Sequence, residues 1–186
     1  LIENPPINNM VEEKLRLNGV SFGLSEVGYD LRIKQKVEYF PPSIKNMLKY
    51  GFKKGWYGFT RVTDKQISHN FSLKEELVIT DRLGNCALAS SIERFNIPTH
   101  LWGELRNKST HARRFFDASI GTDMEPGWVG YLTIEIVFHD KHTYICIPSG
   151  SGIAKAVFHE IKERAAYGGK YQNQPDKPVE GILSEN

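Results

Sequence analysis

Apolar and polar residues alternate most cleanly over Gly127–Phe138, GWVGYLTIEIVF. Leu132, Ile134, Ile136 and Phe138 fall on one face of a strand there, and Tyr131, Thr133, Glu135 and Val137 on the other. Shorter β-branched and aromatic runs predict further strands at Tyr29–Val37, Trp56–Val62, Glu76–Thr80, Asn85–Phe95, Leu101–Leu105 and Thr143–Ile147. Ile153–Phe158 reads as a last strand or part of one. Helical spacing is scarce: Val11–Leu17 reads as a short helix, and Ser43–Lys49 as another, with Ser43 as N-cap. Gly, Pro, Asn and Asp gather between these runs, the punctuation of a mainly β sandwich or barrel. Phe40–Gly58 reads as an insertion or connection, and no repeat or boundary divides 1–186, so one domain is expected. After Arg164 the run AAYGGKYQNQPDKPVEG is rich in Gly and Pro and poor in apolar residues, so 165–186 reads as a flexible C-terminal segment.

Composition narrows the classes. The chain has 186 residues, 40% of them hydrophobic and 25% charged, enough for a sizeable core in a globular protein. A net charge of +2 is too small to argue for nucleic acid or a membrane surface. No apolar run approaches the roughly 20 residues of a membrane span. The opening LIENPPINNMVEEK has no basic and apolar leader pattern. Cys86 and Cys146 stand far apart in strand-like runs and read as buried, reduced thiols, consistent with the cytoplasm.

Several chemistries lack their residues. There is no P-loop, no G-x-G-x-x-G after a strand, and no G-x-S-x-G elbow. The zinc-deaminase pattern, H-x-E followed by P-C-x-x-C, is also missing. His139 and His142 form H-x-x-H across a strand end and read as a solvated turn. Two features stay open on the residues alone. Glu135 is either a solvated outward carboxylate or an acid-base group. Ser109, Thr110 and His111 begin a short helix with Ser109 as cap, four residues from Arg113 and preceded by Arg106 and Lys108. That is either an ordinary capped helix or an anion seat of free N–H groups and cations.

Taken in order, EVGYDLRI (Glu26–Ile33), CALASSIERFNIP (Cys86–Pro98), ELRNKSTHAR (Glu104–Arg113), EPGWVGYLTIEI (Glu125–Ile136), GSGIAKAVF (Gly150–Phe158) and GGKYQNQ (Gly168–Gln174) resemble the blocks of the dCTP deaminases. The resemblance spans Gly23 to Gln174. It implies the dUTPase-like distorted β-barrel or jelly roll, assembled as a homotrimer with active sites between subunits. It also implies hydrolytic deamination of dCTP to dUTP and ammonia without catalytic zinc, with Mg²⁺ accompanying the triphosphate.

By motif, Glu135 matches the family's catalytic glutamate, and Ser109 and Arg113 match the residues that position water and base. Lys108 stands where the family usually has arginine, as a triphosphate contact. Tyr167, Lys170 and Gln174 fall in the segment that folds over the nucleotide. Glu125 stands where a bifunctional deaminase-diphosphatase or a dUTPase has the aspartate that handles water at the α-phosphate. Asp123 and HARRFF are further departures, which suggest an outlying member with a plain or C5-modified deoxycytidine triphosphate as substrate. The resemblance leaves a dUTPase, a bifunctional enzyme, or a non-catalytic nucleotide-binding regulator as alternatives. Its setting would be the cytoplasm, the host's if the chain is phage-encoded.

Overall fold

The computed structural model describes residues 5–17, 19–39, 67–70, 76–79, 86–121, 123–139, 145–148 and 150–182. The helix expected at Ser43–Lys49, the strand at Trp56–Val62 and the connection at Phe40–Gly58 lie outside the described residues, as does His142. Cys86 and Cys146 sit on strands, but their side chains lie outside the described set.

The described chain is mainly β. Its strands are β1 (Leu15–Leu17), β2 (Val20–Leu24), β3 (Tyr29–Tyr39), β4 (Ile67–Asn70), β5 (Glu76–Ile79) and β6 (Cys86–Asn96). They continue as β7 (Leu101–Asn107), β8 (Phe116–Asp117), β9 (Asp123–Met124), β10 (Val129–Phe138), β11 (Ile145–Pro148) and β12 (Gly152–Glu160). A short helix, α1 (Ser109–Ala112), follows β7. The large sheet runs β8-β10-β6-β3-β12-β7-β9, with the β1–β2 hairpin and β4 also held on β3, while β5 and β11 pair separately.

Strand β3 joins the two halves of this sheet. Its first residues ladder with β12, Leu31 facing Ala154, and its last residues with β6, Val37 facing Ala89. The register shifts between Ile33 and Val37, where the strand exchanges partners. A long strand that changes partners across an irregularity bends, and the sheet curls around its apolar face. Leu132, Ile134 and Ile136 of β10 are buried there with Leu31, Ile33 and Val37 of β3 and Ile153 and Ala156 of β12. Each large aliphatic side chain so enclosed contributes on the order of 1.5–3 kcal/mol. The alternation read along β10 is therefore the core pattern of the fold.

One polar cluster is locked into this packing. Glu93, with no exposed surface, accepts bonds from Arg32 N at 3.0 Å, Arg32 Nε at 2.9 Å and Tyr29 Oη at 3.1 Å. Burial, then the neighbouring Glu93 charge, push the Tyr29 hydroxyl up to about 12.

Two expected helical features are corrected. Val11–Leu17 is not a helix: 15–17 form β1, with Leu17 opposite Val20. The alternation in Leu-Arg-Leu and the Asn-Gly that follows specify a hairpin more strongly than a helix with no cap, and Gly19 holds φ +81°. Ser109 is not the cap of α1 but its first helical residue. Lys108 holds the N-cap position, in an extended conformation and with no side-chain cap bond.

Candidate functional site

Two pockets collect most of the residues singled out by motif. The first, about 300 Å³, lies on the outward face of β10. Register places Glu135 and Thr133 on that face, two residues apart, and Trp128 and Leu132 form an apolar wall. The turn after β9 brings Glu125 to the rim. Trp128 N donates to Glu125 O at 3.0 Å, and Gly127 takes φ +74°. Tyr167 and Gln174 line the same pocket, as do Asp123, Tyr171 and Glu180. Four carboxylates thus ring a partly apolar hollow. It offers acceptors and proton carriers, and it repels anions.

The C-terminal segment forms the outer wall. Gln172 ties it down by accepting from Val129 N at 2.8 Å and donating to Gly127 O at 2.9 Å and Tyr167 O at 3.1 Å. Trp128 Nε1 donates to Tyr171 O at 2.7 Å, and Tyr131 N to Gln174 O at 3.1 Å. Farther along, Val179 N donates to Thr133 Oγ1 at 3.0 Å, two residues from Glu135. Asp176 pairs with Lys34, whose ammonium also lies 4.4 Å from the Tyr131 ring centroid. Lys170 does not line the pocket; its ammonium donates to Ile182 O.

The second pocket, about 450 Å³, opens at the start of α1 and is lined by Lys108, Ser109 and Thr110 together with Lys14, Arg16, Arg106 and Lys155. Lys108 Nζ lies 2.6 Å from Asp30 Oδ2 and donates to Ser21 Oγ at 3.1 Å. Burial lowers the Lys108 ammonium from its ordinary value, against the opposing pull of Asp30. Arg113 caps α1, its N–H donating to Ser109 O at 3.1 Å, and its side chain is exposed and lines neither pocket.

Beneath α1, His111 is buried with its Nε2 2.8 Å from Gly152 O. Desolvation, opposed by that bond and aided by Lys108 and Arg114, holds the imidazole down to about 4. The neutral ring anchors α1 to β12.

Glu125, Glu135, Tyr167 and Gln174 therefore meet in one pocket, Lys108 and Ser109 in another, and the two linings share no residue. Motif reasoning missed Thr133, Tyr171 and Glu180 in the first, and Lys14, Arg16 and Lys155 in the second. Only Thr133 carried a signal in the sequence, its position on the Glu135 face of an alternating strand. Among the described residues no group of three or more His, Cys, Asp or Glu is placed to hold a metal ion. No helix of the described residues is long and apolar enough to cross a membrane.

Comparison with known proteins gives consistent results. A family model described as dCTP deaminase-like matches residues 3–161. A dCTP deaminase of Protochlamydia amoebophila is 32% identical over 178 residues, covering 90% of this chain and 86% of the relative. One from Chlamydia abortus is 32% identical over 175 residues, covering 90% and 81%. Among solved structures, the 2'-deoxycytidine 5'-triphosphate deaminase of Agrobacterium tumefaciens aligns with a TM-score of 0.50 at 16% identity. That alignment covers 74% of this chain and 40% of the other, and its likeness is one of fold.

Proposed function

The chain belongs to the dCTP deaminase-like family, and on that premise we propose that it hydrolyses dCTP, or a C5-modified deoxycytidine triphosphate, to the deoxyuridine product and ammonia. The observation that carries this reading is the composition of the β10 pocket. Glu135 sits beside Thr133 and an apolar wall, under a C-terminal segment that bears Tyr167 and Gln174.

The pyrimidine enters the acidic pocket, where the wall from Trp128 and Leu132 suits a flat, uncharged ring. Glu135 takes a proton from water as the water oxygen bonds to C4, and passes it to N3. The resulting hydroxyl gives up its proton through Glu135 to the amino group. The C4–N bond then breaks, ammonia leaves, and a C4 carbonyl remains. Ser109 and Arg113 orient the water and base, and the Arg113 charge opposes the negative charge that develops during attack. The triphosphate, with its Mg²⁺, lies at the cationic pocket beside Lys108, with Lys170 and Gln174 closing from the C-terminal segment.

This mechanism needs residues from both pockets, whose linings share no residue within one chain. The separation supports a site assembled between copies, Glu135 from one subunit and Ser109 and Arg113 from its neighbour, in a homotrimer. Closed rotational assembly generates three equivalent composite sites of this kind.

A second reading has one observation in its favour: Glu125 faces the same hollow as Glu135. A second carboxylate there can direct water at the α-phosphate, which would make the enzyme a diphosphatase as well. Product analysis separates the readings. Purified protein with Mg²⁺ and dCTP should release ammonia and dUTP. Diphosphate release from dCTP or dUTP would establish the second activity, and no turnover of dCTP, dUTP or 5-substituted dCTP would leave a nucleotide-binding regulator.

A further inference from the structure

The cationic pocket carries a charge pattern of which the motif reading used only Arg106 and Lys108. Asp30 on β3, Lys155 on β12 and Arg106 on β7 are successive cross-strand partners. Directly paired residues leave an antiparallel sheet on one face, so these three share a face. Arg16 arrives from β1, where its register partner is Ser21. The Ser21 hydroxyl donates to Asp30 Oδ2 at 2.8 Å, tying the hairpin to the same cluster.

Most of these cations already have a carboxylate. Lys108 lies 2.6 Å from Asp30, the two side chains only 9% and 2% exposed. Releasing Lys108 to an incoming phosphate would leave the buried Asp30 carboxylate with only the Ser21 hydroxyl and the more distant Lys155, which resists exchange. Lys14 reaches both oxygens of Glu26 at 2.8 Å. Arg106 gives Nε and Nη2 to Glu104 Oε1 at 2.9 and 2.7 Å. Asp30 has one charge and faces two ammoniums, Lys108 at 2.6 Å and Lys155 at 3.9 Å, so that trio is net positive. Arg16 lines the pocket and makes no ion pair among the described residues.

We infer that Arg16 and Lys155 read the phosphate tail of the nucleotide, while Lys108 acts mainly as the counter-ion that fixes Asp30 beneath the pocket. This rests on the reading of the pocket as the phosphate side. The Arg16 guanidinium offers a planar fork to non-bridging phosphate oxygens, and Lys155, partly exposed and donating to Ser25 Oγ at 2.9 Å, adds a point charge. Within this pocket, the motif resemblance would assign that duty to Lys108.

The test compares wild type with Arg16→Gln and Lys155→Gln, and with Lys162→Gln as an exposed control lining neither pocket. Binding of inorganic tripolyphosphate is followed by calorimetry, and dCTP turnover by ammonia release. Each pocket variant should weaken tripolyphosphate binding roughly 10-fold and raise KM for dCTP by a similar factor with kcat kept, as for one lost charged contact. Lys162→Gln should match wild type. If wild type binds tripolyphosphate and turns over dCTP while both pocket variants match it, the inference is overturned and the deaminase reading stands. A fall in kcat at unchanged KM overturns it as well. Wild type that neither binds tripolyphosphate nor turns over dCTP overturns the inference together with the reading beneath it.

Discussion

Gly130 and Gln174 lie in backbone contact: they form an isolated bridge, and a Cβ built on Gly130 would stand 2.7 Å from Gln174 N. Gly130 also holds φ +152°, a backbone region that side chains rarely adopt. The absence of a side chain there lets the C-terminal segment lie flat along β10. Gly130→Ala should lift it, raising KM for dCTP by about 10-fold. Tryptic cleavage after Lys170 and Lys177 should accelerate in the same variant. A variant with unaltered KM and cleavage would show that the segment does not need this contact.

The Glu93 cluster should carry stability rather than catalysis. Glu93→Gln leaves Arg32 and Tyr29 around a neutral amide that can no longer accept all three bonds. Removing one partner of a buried ion pair costs about 3–5 kcal/mol, and the shape-conserving amide should lose about 3. Urea unfolding measures this directly.

Stability should also depend on pH through His111. Its folded-state value is about 4, below the ordinary 6.5. The unfolded chain therefore takes up the proton first as pH falls. The stabilising contribution is complete above pH 6.5 and is lost as pH drops through the window from 6.5 to 4. It amounts to about 3 kcal/mol at most. His111→Gln keeps a donor for Gly152 O without titrating, and its urea midpoint should vary less over that window than that of wild type.

Composite sites predict complementation. Arg113→Ala and Glu135→Gln proteins, each inactive alone, should recover activity when unfolded together and reassembled. Random mixing gives about a quarter of the sites one intact contribution from each neighbour. Recovery of about a quarter of wild-type activity supports assembly between copies, and none at all argues that each chain is self-contained.

Much of the fold was legible because β10 alternates so strictly. Ile134 and Ile136 could only be the inner face, which put Thr133 and Glu135 together on the other. β1 was misread because Leu15 and Leu17 are exposed, so their spacing carries no core pattern and the pairing with β2 decides instead. The gathering of Glu125, Glu135, Tyr167 and Gln174 depends on a distant segment folding back, held by main-chain bonds and by the Gln172 amide, which no apolar periodicity announces. The ion pair of Lys108 with Asp30 was hidden for a similar reason. It joins residues far apart in sequence that only the ladder through β12 brings together.

The central claim is that Glu135 moves the protons of deamination. Glu135→Gln keeps the shape of the side chain and removes its base. Nucleotide binding measured by calorimetry beside ammonia release from saturating dCTP is the most direct test. The account predicts binding within about 3-fold of wild type and turnover reduced by at least roughly 10³-fold. Ammonia release at the wild-type rate in that variant would contradict it.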